Sequence, residues 1–174
     1  MHQVFKKNQL GPELELLQQS KMVKEFDWRQ AEEHLEKNPL DLDMRIRLLG
    51  FYLSLKNAPS RKNDNCRKHI LWIVKEMPES ALAAECTSTI LPEEDPVLFN
   101  ELIPLWEQIA RFNPENFDIL YNAGHFMSSN AFFAKAIFYF KAAKQLSPKE
   151  SVIGPQLEYL EDYLNPNGRW RADI

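Results

Sequence analysis

The sequence predicts an all-α protein built from antiparallel helix pairs, and three observations lead to that prediction. Apolar residues recur at steps of three and four along most of the chain, as on the buried face of an amphipathic helix. Alternation of apolar and polar residues never lasts long enough to predict a strand. Four prolines follow helical stretches at intervals of 39, 36 and 34 residues, a regularity typical of stacked helical units. They are Pro39, Pro78, Pro114 and Pro148.

The first half of the chain contains four predicted helices. Residues 13–24 form the first, and a capping-box pattern that begins at Asp27 predicts a second one up to about Lys37. Residues 42–55 carry apolar side chains on more than one face, which predicts a helix packed on two sides. A polar loop follows, and residues 64–65 are expected to cap a helix that closes at the Pro78 junction.

The second half predicts five further helices, separated by short turns. Asp95 precedes Pro96, and this pair is typical of a helix start because aspartate caps the helix and proline fits its first turn. A turn is expected at Ser128-Ser129-Asn130. The predicted ranges are 81–90, 96 to the Pro114 junction, 117–127, 132–146 and 156–164.

Composition limits the possible classes of function. The net charge of -4 provides no basic field that would attract nucleic acid. No stretch approaches the roughly 18 apolar residues of a membrane span, and the first residues do not resemble a secretory signal. Cys66 and Cys86 are too few for a disulfide scaffold, so we expect a reducing, cytoplasmic location. We expect one helical domain over residues 27–164, a partly helical extension over 1–26 and a flexible tail over 165–174.

The segment from Phe117 to Pro148 has an ordered pattern of small and large residues. Its leading helix carries Leu120, Ala123, Gly124 and Met127, and its second helix carries Ala136, Phe140, Ala143 and the closing Pro148. This pattern resembles one tetratricopeptide repeat, a helix pair with small residues where its helices meet. Two further segments, 42–78 and 81–114, resemble degenerate copies of the same unit. Gly124 and Ala136 are expected to lie where the two helices approach most closely.

This resemblance implies a short right-handed superhelix whose first helices line a concave, partner-binding surface. It implies a protein or peptide partner and no cofactor. The outward residues of the first helices would then be the binding residues, and the alternative is that they are ordinary solvated positions. Trp170, between two arginines of the tail, either anchors a partner or folds back onto the last helix. The candidate partner-binding residues are Arg47, Phe51, Glu85, Thr89, Tyr121, Asn122, His125 and Trp170.

Catalytic and metal-binding patterns are not found in the sequence, so we expect a protein that is not an enzyme. Cys66, His69 and Cys86 do not have the paired spacings of a structural zinc site, and we expect buried thiols and a surface imidazole instead. Two alternatives to the interaction module stay open. One is a structural subunit that self-associates through its end units, and the other is a helical ligand-binding domain or enzyme with a closed pocket.

Overall fold

The computed structural model describes residues 11–23, 25–54, 64–88, 90–149 and 152–165. Across these ranges the chain forms nine α-helices and no strand, which confirms the all-α prediction. The chain divides into two compact units, Met1–Ile70 and Leu71–Ile174, with the boundary inside the fourth helix. The longest helix in the described ranges has 17 residues, and none is both long and apolar enough to cross a membrane.

Each predicted helix is present. The helices are α1 Pro12–Lys21, α2 Trp28–Lys37, α3 Leu42–Ser54, α4 Asp64–Glu76, α5 Ala81–Ser88, α6 Pro96–Phe112, α7 Phe117–Ser129, α8 Phe133–Leu146 and α9 Ile153–Leu164. Helix α1 ends three residues earlier and helix α9 begins three residues earlier than predicted.

Local signals place most of the helix ends. The side chain of Asp27 accepts a hydrogen bond from the Gln30 backbone at 3.1 Å, and that of Asp95 accepts one from Leu98 at 3.0 Å. Both predicted N-caps are therefore confirmed, and each satisfies a backbone N–H that has no partner within the helix. The four prolines of the sequence pattern stand just beyond the ends of α2, α4, α6 and α8, so they close every second helix.

One predicted turn is misplaced, because α7 continues through Ser128 and Ser129. The helix ends at Ser129 and is followed by a Schellman motif. In this motif Phe132 N–H donates to the Met127 carbonyl and Ala131 N–H donates to the Ser128 carbonyl. Ala131 takes the left-handed conformation at φ 61° that glycine usually occupies there. The sequence therefore lacks the residue that normally indicates this ending.

In the first unit, α1 and α2 pack against α3, and α1 crosses α3 at Gly50. A Cβ atom at position 50 would lie 2.4 Å from Ser20 Cβ and 3.0 Å from the Leu17 carbonyl oxygen. The backbones approach this closely only because Gly50 has no side chain. The residues before α2, expected to form a partly helical extension, thus contribute a helix to the core of this unit.

In the second unit, α7 packs against α5, α6 and α8, and α8 packs against α9. A Cβ atom at Gly124 would lie 2.7 Å from the buried Phe140 ring of α8, so Gly124 lies at the close approach of these two helices as predicted. Trp106 of α6 is fully buried and its ring lies 6.5 Å from that of Phe126. The centre of this unit is therefore an aromatic core around α7.

Replacing Gly50 with alanine should lower the free energy of unfolding by about 1–3 kcal/mol, because the added methyl group forces α1 and α3 apart. Gly154→Ala is the matched control, since nothing lies within 4 Å of its added Cβ and alanine favours a helix. Urea denaturation followed by circular dichroism measures both variants. A Gly50→Ala variant as stable as the parent would contradict the close crossing of α1 and α3.

Candidate functional site

Four polar side chains from three helices form a partly exposed patch in the second unit. Tyr121 and His125 are one helical turn apart on α7, and their ring centroids are 6.3 Å apart. Gln156 of α9 donates to the Tyr121 hydroxyl at 3.4 Å, and the carboxylate of Glu85 on α5 acts on His125 through its charge. We call Glu85, Tyr121, His125 and Gln156 the α7 face.

Aromatic neighbours hold the Tyr121 ring in place. The ring stacks on Phe117 at a centroid distance of 6.1 Å and lies 5.8 Å from the ring of Phe140. Phe140 is buried, whereas Tyr121 keeps part of its surface exposed. A ring with two fixed neighbours loses little conformational entropy when it contacts a ligand, so Tyr121 provides a rigid, amphipathic contact surface.

His125 is neutral near pH 7, and one of its ring nitrogens has no hydrogen-bond partner in the described residues. Burial lowers its pKa below the ordinary 6.5, and the nearby charge of Glu85 opposes that effect only in part. Its Nδ1 atom is buried, and within the described residues it has no hydrogen-bond partner. A neutral imidazole nitrogen donates or accepts according to its tautomer, so Nδ1 can serve either kind of ligand group.

Gln156 carries a second unsatisfied atom on the α7 face. Its Nε2 donates to Tyr121, but its buried Oε1 has no hydrogen-bond partner in the described part of the chain. A buried polar atom without a partner costs about 1–3 kcal/mol, so such atoms usually have water or a ligand beside them. Two atoms of this kind lie around one partly exposed tyrosine, which makes the α7 face the candidate binding site.

Asn122 does not belong to this face, and the prediction that it faces outward is wrong. Its side chain is only 4% exposed, and its Nδ2 donates to the carbonyl oxygens of Pro78 at 2.9 Å and Ser80 at 3.0 Å. The amide therefore binds the protein's own backbone, at the junction between α4 and α5. The prediction failed because the carbonyls that need these donors lie more than 40 residues away in the sequence.

Of the remaining predicted binding residues, two belong to the first unit and two lie outside the described residues. Arg47 and Phe51 belong to the first unit, where Arg47 is exposed and the Phe51 ring packs 5.7 Å from both Phe26 and Tyr52. Thr89 and Trp170 lie outside the described residues. Within the second unit, Glu85, Tyr121 and His125 thus share one surface, and Gln156, which joins them, was not predicted.

A buried polar cluster in the first unit was also missed. Glu32 of α2, Arg45 and Tyr52 of α3 and His69 of α4 meet in the interior, and the last three are nearly inaccessible. His69 was expected at the surface, so that prediction is wrong. Arg45 and Tyr52 stand seven residues apart on α3, and both fall among the residues that α3 buries. The sequence did contain one signal for this cluster: Arg45 is a charged residue on a face of the predicted helix that is otherwise apolar.

Hydrogen-bond geometry determines the protonation of His69. Arg45 Nη1 lies 2.8 Å from His69 Nδ1, and a guanidinium has only donors, so Nδ1 must accept. The Nε2–H group then faces both carboxylate oxygens of Glu32 at 3.1 Å, which is a hydrogen bond of a neutral imidazole and not an ion pair. Burial lowers the pKa of His69, in agreement with this geometry, although Glu32 opposes the effect.

This cluster is built to hold helices together. Both ring nitrogens of His69 are engaged, and the Tyr52 hydroxyl donates to Glu32 at 2.6 Å. Burial, followed by this hydrogen bond, raises the pKa of Tyr52. Arg45 also donates to the Pro39 carbonyl. A general base needs a free lone pair, which His69 lacks here, and the hydrogen bonds of the cluster link α2, α3 and α4.

The loop between α2 and α3 forms a shallow surface depression, which is a weaker candidate. His34 and Asp41 lie in its wall and contact one another at 2.7 Å. A backbone hydrogen bond from Met44, followed by the one from His34, lowers the pKa of Asp41. His34 and Asp41 thus bind each other and the start of α3, as expected where an aspartate caps a helix.

Comparisons with protein-family models, curated proteins and solved structures found no match for the chain. In the described residues, no group of three or more His, Cys, Asp or Glu side chains is arranged to hold a metal ion. The candidate site therefore rests on the geometry of the α7 face alone.

The neutral state of His69 makes stability depend on pH. In the unfolded chain histidine titrates near about 6.5, so below that pH the unfolded chain binds more protons than the folded one and the free energy of unfolding falls. His69→Gln removes this titration. Near pH 7 the free energy of unfolding of the variant should be about 1–3 kcal/mol lower than that of the parent, because Arg45 loses a buried acceptor. Between about pH 7 and about pH 5 the free energy of unfolding should fall less for the variant than for the parent. His125 adds a similar slope to both proteins.

Urea denaturation of parent and His69→Gln at several pH values between about 7 and 5 measures this difference. The quantity compared is the slope of the unfolding free energy against pH. If His69 did not titrate in this range, its replacement would lower stability equally at every pH and leave this slope unchanged. Equal slopes for the two proteins would contradict the neutral assignment.

Asn122→Ala should lower the free energy of unfolding by about 1–3 kcal/mol, because two hydrogen bonds to backbone carbonyls are lost. Asn122→Asp keeps the side-chain shape but turns a carboxylate oxygen toward those carbonyls, so it should destabilise at least as strongly. Thermal unfolding by circular dichroism measures both. An aspartate variant with the stability of the parent would show that the donors of Asn122 are not needed.

Proposed function

We propose that this chain is a tetratricopeptide-like interaction module, without catalytic activity, that binds a protein or peptide segment on the α7 face. One observation carries the proposal: two buried polar atoms without partners in the described structure, His125 Nδ1 and Gln156 Oε1, flank the partly exposed ring of Tyr121. A bound segment with hydrogen-bonding groups would satisfy both atoms if the His125 and Gln156 side chains turned to expose them, and its apolar surface would cover the tyrosine.

The order of the helices supports the repeat-like part of the proposal. Prolines close α4, α6 and α8, so α5, α7 and α9 are each the first helix after a junction. These are the helices that contribute the four residues of the α7 face. The resemblance of 117–148 to a tetratricopeptide repeat implies a binding surface lined by first helices, which is the arrangement proposed here.

Geometry on the α7 face argues against catalysis by His125. In a catalytic pair the imidazole is oriented by a hydrogen bond from one ring nitrogen to a carboxylate. Glu85 acts on His125 through its charge, but the buried Nδ1 atom has no hydrogen-bond partner in the described residues.

The free thiols of Cys66 and Cys86 are buried, and we propose a reducing, cytoplasmic location for the protein.

A second candidate function is self-assembly through α9, supported by its exposed aromatic side chains. Tyr159 and Tyr163 are one turn apart on the outer side of α9 and are 66% and 59% exposed. Leu157 and Leu160 on the other side are buried. An end helix with exposed aromatic residues is a surface on which a further unit or a second copy can pack.

Site-specific photo-crosslinking distinguishes the two surfaces. The photoreactive phenylalanine derivative p-benzoylphenylalanine is placed at Tyr121 in one variant and at Tyr159 in another, and each is irradiated in its native cytoplasm. We expect adducts with other proteins from position 121, because a partner covers the α7 face. Gln156→Ala in the same background should reduce those adducts, since it removes a predicted hydrogen bond.

The Tyr159 variant is the matched control, because it places the same probe on an exposed tyrosine of the same unit. Both variants must first show the thermal stability of the parent. Adducts of twice the chain mass from position 159, with none from position 121, would overturn the proposal in favour of self-assembly.

A further inference from the structure

The polar cluster of the first unit is arranged so that His69 can gain a proton only by losing a contact. The side chain is 1% exposed, and both ring nitrogens already have partners. The Nδ1 atom is the acceptor for Arg45 at 2.8 Å. A proton on Nδ1 would place two donors and two positive charges against each other inside the unit. The hydrogen bond between Arg45 and His69 therefore exists only while the imidazole is neutral.

The charged and titratable groups around His69 come from three helices, and their sum opposes protonation. Burial has the largest effect, and the cations of Arg45 on α3 and Lys68 on α4 act in the same direction. Glu32 of α2 faces the other ring nitrogen and opposes them only in part. Tyr52 of α3 donates to Glu32 and stays un-ionised, because burial raises its pKa. The pKa of His69 thus lies below the ordinary 6.5, and acid acts against the folded arrangement.

The same side chains attach the start of α4 to α2 and α3. His69 bonds to Glu32 of α2 and to Arg45 of α3, and the ring of Tyr52 stacks on that of His69 at a centroid distance of 6.3 Å. Cys66 lies one helical turn before His69 on α4 and is 1% exposed. Loss of the contact between Arg45 and His69 therefore loosens the segment of α4 that covers this thiol.

We propose that Arg45 and His69 form a pH-sensitive switch: protonation of His69 releases residues 64–70 of α4 from α2 and α3, while the second unit stays folded. The inference concerns the first unit and is independent of the α7 face. It predicts a local opening, which is more specific than a general loss of stability in acid. His125 in the second unit has no hydrogen-bond partner at Nδ1 within the described residues, so a proton there breaks no such bond.

The two cysteines report on the two units separately. Cys66 belongs to the first unit and Cys86 to the second, and both are buried. Dithiodipyridine, which reacts with thiols in mildly acidic solution, is added to the parent at several pH values between about 7 and about 5. Mass spectrometry of the digested chain gives the labelling rate of each cysteine. The rate on the urea-unfolded chain at the same pH corrects for the chemistry of the reagent, so the ratio measures opening.

The corrected labelling of Cys66 should rise by up to about tenfold for each pH unit below about 6.5, because the opening takes up one proton. Cys86 should stay protected over the same range. Equal rises at both cysteines would show that acid unfolds the whole chain, and no rise at Cys66 would show that protonation does not open the cluster. Either result would overturn the inference.

Two variants test the chemistry of the switch. His69→Gln cannot take up a proton, so the corrected labelling of Cys66 should no longer depend on pH, even where it is faster throughout. In Arg45→Gln a protonated His69 meets no second cation, and the amide can accept as well as donate, so the rise should become several times smaller. A full rise in His69→Gln would assign the proton to another group and contradict the switch.

His34→Gln is the matched control, because it makes the same replacement in the same unit at a histidine whose side chain is 39% exposed. It should keep the full rise at Cys66. Circular dichroism at neutral pH establishes that each variant is folded. For a variant that does not fold, the comparison of Cys66 with Cys86 in the parent still decides.

Discussion

Closing a helix with proline creates a demand for hydrogen-bond donors, and at two of the four proline junctions a buried side chain meets this demand. The carbonyls of the turn that follows the helix lie outside its hydrogen-bond pattern, and proline contributes no N–H to that turn. Arg45 donates to the carbonyl of Pro39 after α2, and Asn122 donates to those of Pro78 and Ser80 after α4. In both cases the donor comes from a later helix, so the junction and the packing of that helix depend on each other.

The identity of the first donor explains why Arg45 and His69 are both buried in the first unit. A buried charge without hydrogen bonds would be costly, and that cost is lower for Arg45 because His69 and the Pro39 carbonyl accept its N–H groups. His69 in turn donates to Glu32, which is partly exposed and can keep its charge hydrated. Arg45, His69 and Glu32 thereby form one line of hydrogen bonds from the interior of the first unit to its surface. The charge of Glu32 lies at the outer end of this line, where water lowers the cost of burying it.

Sequence reasoning succeeded where the cause of a structure is local. The caps at Asp27 and Asp95 and the four proline junctions each depend on a few neighbouring residues, and all were placed correctly. It failed at Asn122 and His69, since their partners lie 44 and 37 residues away. For the candidate site, helical spacing put Tyr121 and His125 on one face, but Gln156 joins them only through the packing of α9, which no local pattern indicates.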